Sequence, residues 1–143
     1  MSTRSGRCLC GAVSFSATLA SDGIEACHCR QCQQWTGGGP LFTVRVSEIE
    51  INGSDAAVTY RASDWGERAF CRTCGSPLWW KMQTGRVASV TAGLLDDQSG
   101  LSVTGEIFVD YRPAWLPAWP GAAQSTEADE LAKLDAYLKG ETG

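Results

Sequence analysis

Val13, Phe15 and Ala17 alternate with Ser14, Ser16 and Thr18, the period-two pattern of a strand with one buried face. That pattern predicts a strand over residues 12–18. Runs rich in β-forming residues predict further strands at Leu41–Val46, Ala57–Tyr60, Leu78–Met82, Val87–Thr91 and Ile107–Val109. Asn52-Gly53-Ser54-Asp55 and Asp96-Asp97-Gln98-Ser99-Gly100 read as turns between them. The spacing predicts a mainly β, antiparallel domain.

A helix pattern appears only near the C-terminus, where Leu131, Leu134 and Leu138 form an apolar stripe. Ser125 or Thr126 can cap it, Glu127, Asp129 and Glu130 suit its N-terminal dipole, and Gly140 ends it. Residues 1–122 are therefore expected to form one β domain, with 123–143 a C-terminal helix packed on it. Pairing of the stripe in a homodimer is the alternative. Ahead of the helix, Pro113, Pro117 and Pro120 with Trp115 and Trp119 make a stiff segment unsuited to a central strand.

The 143-residue length fits one domain, and the 43% hydrophobic and 20% charged composition is that of a chain able to bury a core. A net charge of −4 and a pI near 4.9, with no basic cluster, argue against nucleic acid as a partner. No apolar run has the length of a membrane span or a signal-peptide core, so a cytoplasmic protein is expected. In a reducing compartment dense cysteines bind metal or do chemistry more often than they form disulfides, and an odd count of seven leaves one unpaired.

Those cysteines fall into three blocks: Cys8-Leu9-Cys10-Gly11, Cys27-His28-Cys29-Arg30-Gln31-Cys32 and Cys71-Arg72-Thr73-Cys74-Gly75. A C-x-x-C turn presents two sulfurs to one tetrahedral ion, and two such knuckles from distant parts of a chain make a closed site. Cys8 and Cys10 are accordingly paired with Cys71 and Cys74 as a structural zinc site. The middle block then holds three thiolates, Cys27, Cys29 and Cys32, and three protein ligands with one open position is the arrangement of catalytic zinc. His28 lies between two of them and, in an extended segment, points the other way, toward an acid–base, supporting or packing role rather than a ligand's. Buried apolar thiols and redox pairs are the competing readings of the same cysteines.

The series Cys8-x-Cys10-Gly11-x-Val13, Cys27-His28-Cys29-x-x-Cys32-Gln33 and Phe70-Cys71-x-x-Cys74-Gly75-Ser76-Pro77-Leu78 resembles the glutathione-dependent formaldehyde-activating enzyme family, which includes centromere protein V. Ile107-Phe108-Val109 followed by Pro113-Ala114-Trp115 is similar to that family's closing segment, so the resemblance spans roughly residues 6 to 115. It implies a β-tent fold of small antiparallel sheets and two zinc ions per chain, one structural on Cys8, Cys10, Cys71 and Cys74 and one catalytic on Cys27, Cys29 and Cys32. Gly37-Gly38-Gly39 is similar to the small-residue turn that the family places near the second zinc. Two departures stand out: Glu106 replaces a histidine common in the closing segment, and Asp110-Tyr111-Arg112 replaces a lysine-containing approach to the tryptophan.

The function this implies is a zinc-dependent carbon–sulfur lyase or synthase, acting on a thiol such as glutathione and a small carbonyl compound such as formaldehyde. Arg30, Arg72 and Arg112 are candidates for substrate carboxylates. The alternative is a non-catalytic, zinc-stabilised binding module with a protein partner. A zinc-containing methionine sulfoxide reductase is a third reading, but it needs a reactive cysteine outside the structural four, and here the others form one tight block.

Overall fold

The computed structural model describes residues 2–140. Met1 and residues 141–143, the outer ends of the two expected segments, lie outside the described residues. In chain order the elements are β1 (Thr3–Arg7), β2 (Ser14–Cys27), α1 (Arg30–Thr36), β3 (Leu41–Asn52), β4 (Ala57–Ser63), β5 (Gly66–Cys71), β6 (Pro77–Met82), β7 (Val87–Thr91), β8 (Ser102–Ile107), β9 (Ala123–Ser125) and α2 (Glu127–Leu138). The protein is thus mainly β with a C-terminal helix, the class the sequence predicts. It divides into two compact units, Met1–Ile24 with Phe42–Ser102, and Glu25–Leu41 with Val103–Gly143.

In the first unit the strands are hydrogen-bonded in the order β4-β5-β6-β7-β3-β2, with β1 also paired to β2. Register builds the core directly. Val44 stands opposite Val90, Val90 opposite Trp79, and Trp79 opposite Ala69, a row of buried apolar side chains across four strands. Phe15, Ala17 and Leu19, inward positions of β2, pack into the same cluster with Val13 just before the strand and with Val46, Leu78 and Leu95. Each Val, Leu or Phe among them contributes about 1.5–3 kcal/mol on burial. The strand predicted over residues 12–18 begins two residues later, at Ser14, and runs on to Cys27. Strand β1 has no apolar pattern of its own. It forms by antiparallel pairing with β2 over five positions, and Gly6 leaves room for Phe15, since any Cβ there would stand 2.4 Å from the phenyl ring.

In the second unit β8 pairs with β9, and this pair is parallel. The strand expected at Ile107–Val109 stops at Ile107, because Phe108 takes the left-handed conformation (φ 56°) and starts a short 3-10 turn at Val109–Tyr111. The helix α2 begins where its capping residues predict. The Thr126 hydroxyl accepts from the Asp129 N–H (3.2 Å), and the Asp129 carboxylate accepts from the Thr126 N–H (2.9 Å), a reciprocal capping box. Its start is tied to the 3-10 turn by Tyr111 Oη, which donates to Glu127 (2.9 Å), and by the Glu127 N–H, which donates to Asp110 (3.1 Å). No α2 residue is fully buried; Leu134 is half-buried, while Leu131 and Leu138 are exposed. No helix among the described residues is long and apolar enough to cross a membrane.

Candidate metal centres

All seven cysteines are free thiols, and they gather as the spacing predicts, into a set of four and a set of three. The four belong to the first unit. Cys8 and Cys10 lie in the turn joining β1 to β2, where Gly11 N–H donates to Cys8 C=O (3.1 Å). Cys71 ends β5 and Cys74 lies in the turn from β5 to β6, where Gly75 N–H donates to Cys71 C=O (2.8 Å). The knuckles are latched by Ser76, whose hydroxyl accepts from the Leu9 N–H (3.0 Å) and lies 3.2 Å from the Cys74 sulfur.

The sulfur spacing is that of a tetrahedral thiolate site. Cys10 Sγ lies 3.7 Å from both Cys8 Sγ and Cys71 Sγ. Two sulfurs each about 2.3 Å from one tetrahedral ion lie roughly 3.8 Å apart. Backbone amides point at the same atoms: Val13 N–H at Cys8 (3.4 Å) and Ala12 N–H at Cys10 (3.5 Å). The thiols do not share charge evenly. Hydrogen bonds from the Ser76 side chain and backbone hold Cys74 down to about 5. At Cys10 the Ala12 N–H favours the thiolate, but burial and the sulfurs of Cys8, Cys74 and Cys71 outweigh it and push the thiol up to about 11. A divalent cation removes that competition, so the donor set fits a structural zinc.

The three-sulfur set belongs to the second unit. Cys27 ends β2, Cys29 caps α1 with its sulfur accepting from the Cys32 N–H (3.3 Å), and buried Cys32 stands in the first turn of α1. The three sulfurs lie within 4.8 Å of one another. The neighbouring sulfurs of Cys29 and Cys32, with burial, push the Cys27 thiol strongly upward, so all three carry charge together only beside a cation. Three converging thiolates fit a zinc site with one vertex left for an outside ligand.

The helix that carries Cys29 and Cys32 was not foreseen. The Thr36 side chain links the block to the glycine run, its hydroxyl lying 3.0 Å from Cys32 O and 3.2 Å from Gly39 O. Trp115, 70% exposed, comes within 3.8 Å of the place a Gly39 Cβ would occupy. Gln33 donates from Nε2 to the carbonyls of His28 (2.7 Å) and Tyr111 (2.9 Å).

His28 is not one of the converging donors. Its fully buried ring places Nε2 2.8 Å from Glu106 Oε1, and Nδ1 has no hydrogen-bond partner. The other carboxylate oxygen, Oε2, accepts from Arg112 (3.1 Å), Trp119 N–H (2.8 Å) and Gln124 Nε2 (2.8 Å). Burial alone would raise this carboxyl, but the bonds from Gln124, Trp119 and His28 and the Arg112 charge prevail and hold it at about 2. Glu106 is therefore an anion, and His28 Nε2 carries the shared proton. Arg112, a candidate for substrate carboxylates in the sequence, is engaged on Glu106 and Gln124. Nothing in the residue pattern marks Gln124 or the Trp119 amide as partners, because they lie 18 and 13 positions from Glu106 in chain with no periodic relation to it.

The family model for glutathione-dependent formaldehyde-activating enzyme matches residues 3–111. An uncharacterised lyase of Schizosaccharomyces pombe is 23% identical over 109 residues, covering 76% of this chain and 80% of that protein. A Halomonas elongata protein, named provisionally as a glutathione-dependent formaldehyde-activating enzyme, is 31% identical over 84 residues, covering 52% of this chain and 53% of that one. In fold, a crystal structure of a Rhodobacter sphaeroides protein superimposes with a TM-score of 0.55 at 20% identity, covering 85% of this chain and 99% of that one.

Proposed function

The chain belongs to the glutathione-dependent formaldehyde-activating enzyme family, and from that premise we propose that it is a zinc-dependent carbon–sulfur lyase or synthase. Its substrate in this reading is a glutathione-like thiol together with a small carbonyl compound such as formaldehyde. The observation that carries the reading is the inequality of the sulfur clusters: four thiols close one, and three leave the other a vertex short. Cys8, Cys10, Cys71 and Cys74 are assigned to a structural zinc, and Cys27, Cys29 and Cys32 to a catalytic one.

Zinc held by three thiolates supplies a Lewis-acid position that favours the thiolate form of an incoming thiol near neutral pH. The chain's own residues set up that position. Capping of α1 by Cys29 and the Gln33 bonds fix the block, and the Thr36 contacts tie it to Gly39, beside which Trp115 offers an apolar flank. In the synthase direction the thiol sulfur bonds to the carbonyl carbon and the thiol proton ends on the former carbonyl oxygen. In the lyase direction that carbon–sulfur bond breaks. Atoms and electrons balance without a redox partner. The seven free thiols suit a reducing, cytoplasmic setting.

The test measures metal content and turnover together. Two zinc ions per chain are expected, with exchange between free glutathione and its hydroxymethyl adduct, followed by NMR, faster than in buffer. Cys29→Ser should lose one zinc and the acceleration. A two-zinc protein that leaves the exchange at the buffer rate refutes the activity.

A further inference from the structure

Between the ligand candidates Cys27 and Cys29, the chain offers a single side chain for anchorage, that of His28. Its two backbone groups and one ring nitrogen are secured. The His28 N–H donates to Ile107 O (3.0 Å), its C=O accepts from Gln33 (2.7 Å), and ring Nε2 meets Glu106 (2.8 Å). The first two bonds fix the backbone, but the third alone fixes the ring. Glu106, 3% exposed, is in turn held by three separate segments: the turn that ends at Arg112, the Trp119 amide and the β9 residue Gln124. Its position relative to the rest of the unit is thereby set independently of the cysteine block.

Removing the carboxylate would leave a fully buried imidazole with neither nitrogen bonded, since Nδ1 already has no partner. A buried polar ring in that state is driven to seek a new partner, and turning toward one pulls on residues 27–29. We infer that Glu106 is a positioning residue for the three-thiolate site: through His28 it holds the Cys27 and Cys29 sulfurs at the spacing a metal ion requires. This rests on the assignment of Cys27, Cys29 and Cys32 to a metal. Supporting groups that orient metal ligands typically change affinity about 10–100-fold when removed.

The test uses the full chain loaded with zinc, or with cobalt(II) as a spectroscopic probe, and a chromophoric chelator that draws metal from each site. The Cys29→Ser variant identifies which release phase and which thiolate-to-cobalt bands belong to the three-cysteine site. Glu106→Ala is expected to weaken that site about 10–100-fold and shift its bands, leaving the four-cysteine site unchanged. Glu106→Gln should retain more affinity than Glu106→Ala, because the amide can donate to Nε2 once the ring proton moves to Nδ1, where no existing bond is lost. In a His28→Ala background, neither Glu106 substitution should have a further effect. A merely structural role predicts otherwise: both sites weaken in step with thermal stability, and the effect persists without His28. Either result, or three-cysteine-site affinity equal to wild type in Glu106→Ala, overturns the inference. If Glu106→Ala does not fold, Glu106→Gln with and without His28→Ala carries the same comparison. Wild-type protein that binds one ion and is indifferent to Cys29→Ser removes the metal assignment itself, whereas two ions with no Glu106 effect remove only the inference.

Discussion

Replacing Gly53 by alanine is expected to perturb the four-cysteine cluster from outside it. Gly53 follows β3 with φ +77°, and a Cβ there would stand 2.0 Å from Ala12 O, 3.1 Å from Ala12 C and 3.5 Å from Val13 Cα. All three are backbone atoms, so no side chain can swing aside. The strand end and the knuckle would have to separate by more than an ångström. The amides of Ala12 and Val13 are the donors to the Cys10 and Cys8 sulfurs, so displacement is felt at the cluster. The left-handed conformation costs an alanine about 1 kcal/mol, and overpacking against backbone adds about 1–3 kcal/mol. The total of about 2–4 kcal/mol corresponds to a fall in Tm of roughly 5–15 °C for a chain of this size. Gly100→Ala is the matched control, having φ +79° but open space around it, and should cost only the conformational part, about 1 kcal/mol. Thermal unfolding of the zinc-loaded protein by circular dichroism, with zinc release followed in parallel, separates the two. Equal melting temperatures for the two variants would refute the role assigned to the close approach.

Other outcomes follow from the same structure. Cys74→Ser should lower thermal stability and zinc content together, while Cys29→Ser keeps the fold and loses one ion; equal unfolding of both, by calorimetry with metal analysis, would reverse the division between the sites. Glu106 is held at about 2 against an ordinary value near 4.5, so its charge contributes about 3 kcal/mol that is present above roughly pH 5 and fades as pH falls toward 2. The stability gap between wild type and Glu106→Gln in denaturant titrations should therefore narrow from pH 6 to pH 3, and a constant gap would contradict the ionised network. Thr126→Ala removes one arm of the capping box and should cost about 1 kcal/mol with no change in metal content, measured by chemical denaturation.

What could be read from sequence depended on whether the cause was local. Val87–Thr91 is a strand because its own residues favour one, and it is found with those bounds. The cysteine groups were legible because ligand spacing is a local property of each knuckle. Strand β1 was not, since Thr-Arg-Ser-Gly-Arg has no pattern of its own and forms a strand through its pairing with β2, with Gly6 leaving room for Phe15. Helix α1 was missed for another reason: seven residues with one buried position give no apolar stripe, and its cap is a cysteine sulfur rather than the usual hydroxyl or carboxylate. Glu106 was noticed only as a departure from a family pattern. Its partners His28, Arg112, Trp119 and Gln124 come together through tertiary folding, which no spacing rule anticipates.

The two cysteine sets also differ in what they cost the unfolded chain. Cys10 and Cys71 are 61 positions apart, so an ion shared by the two knuckles closes a loop of that length. By the estimate used for covalent cross-links, forbidding the open forms of such a loop is worth about 4 kcal/mol at room temperature. Cys27, Cys29 and Cys32 fall within six consecutive residues, and an ion there closes almost no loop at all. Its gain or loss barely changes the number of conformations open to the denatured chain. On the proposed assignment, chain entropy would commit an ion held by the four-cysteine set to the fold and leave one held by the three-cysteine set free to exchange.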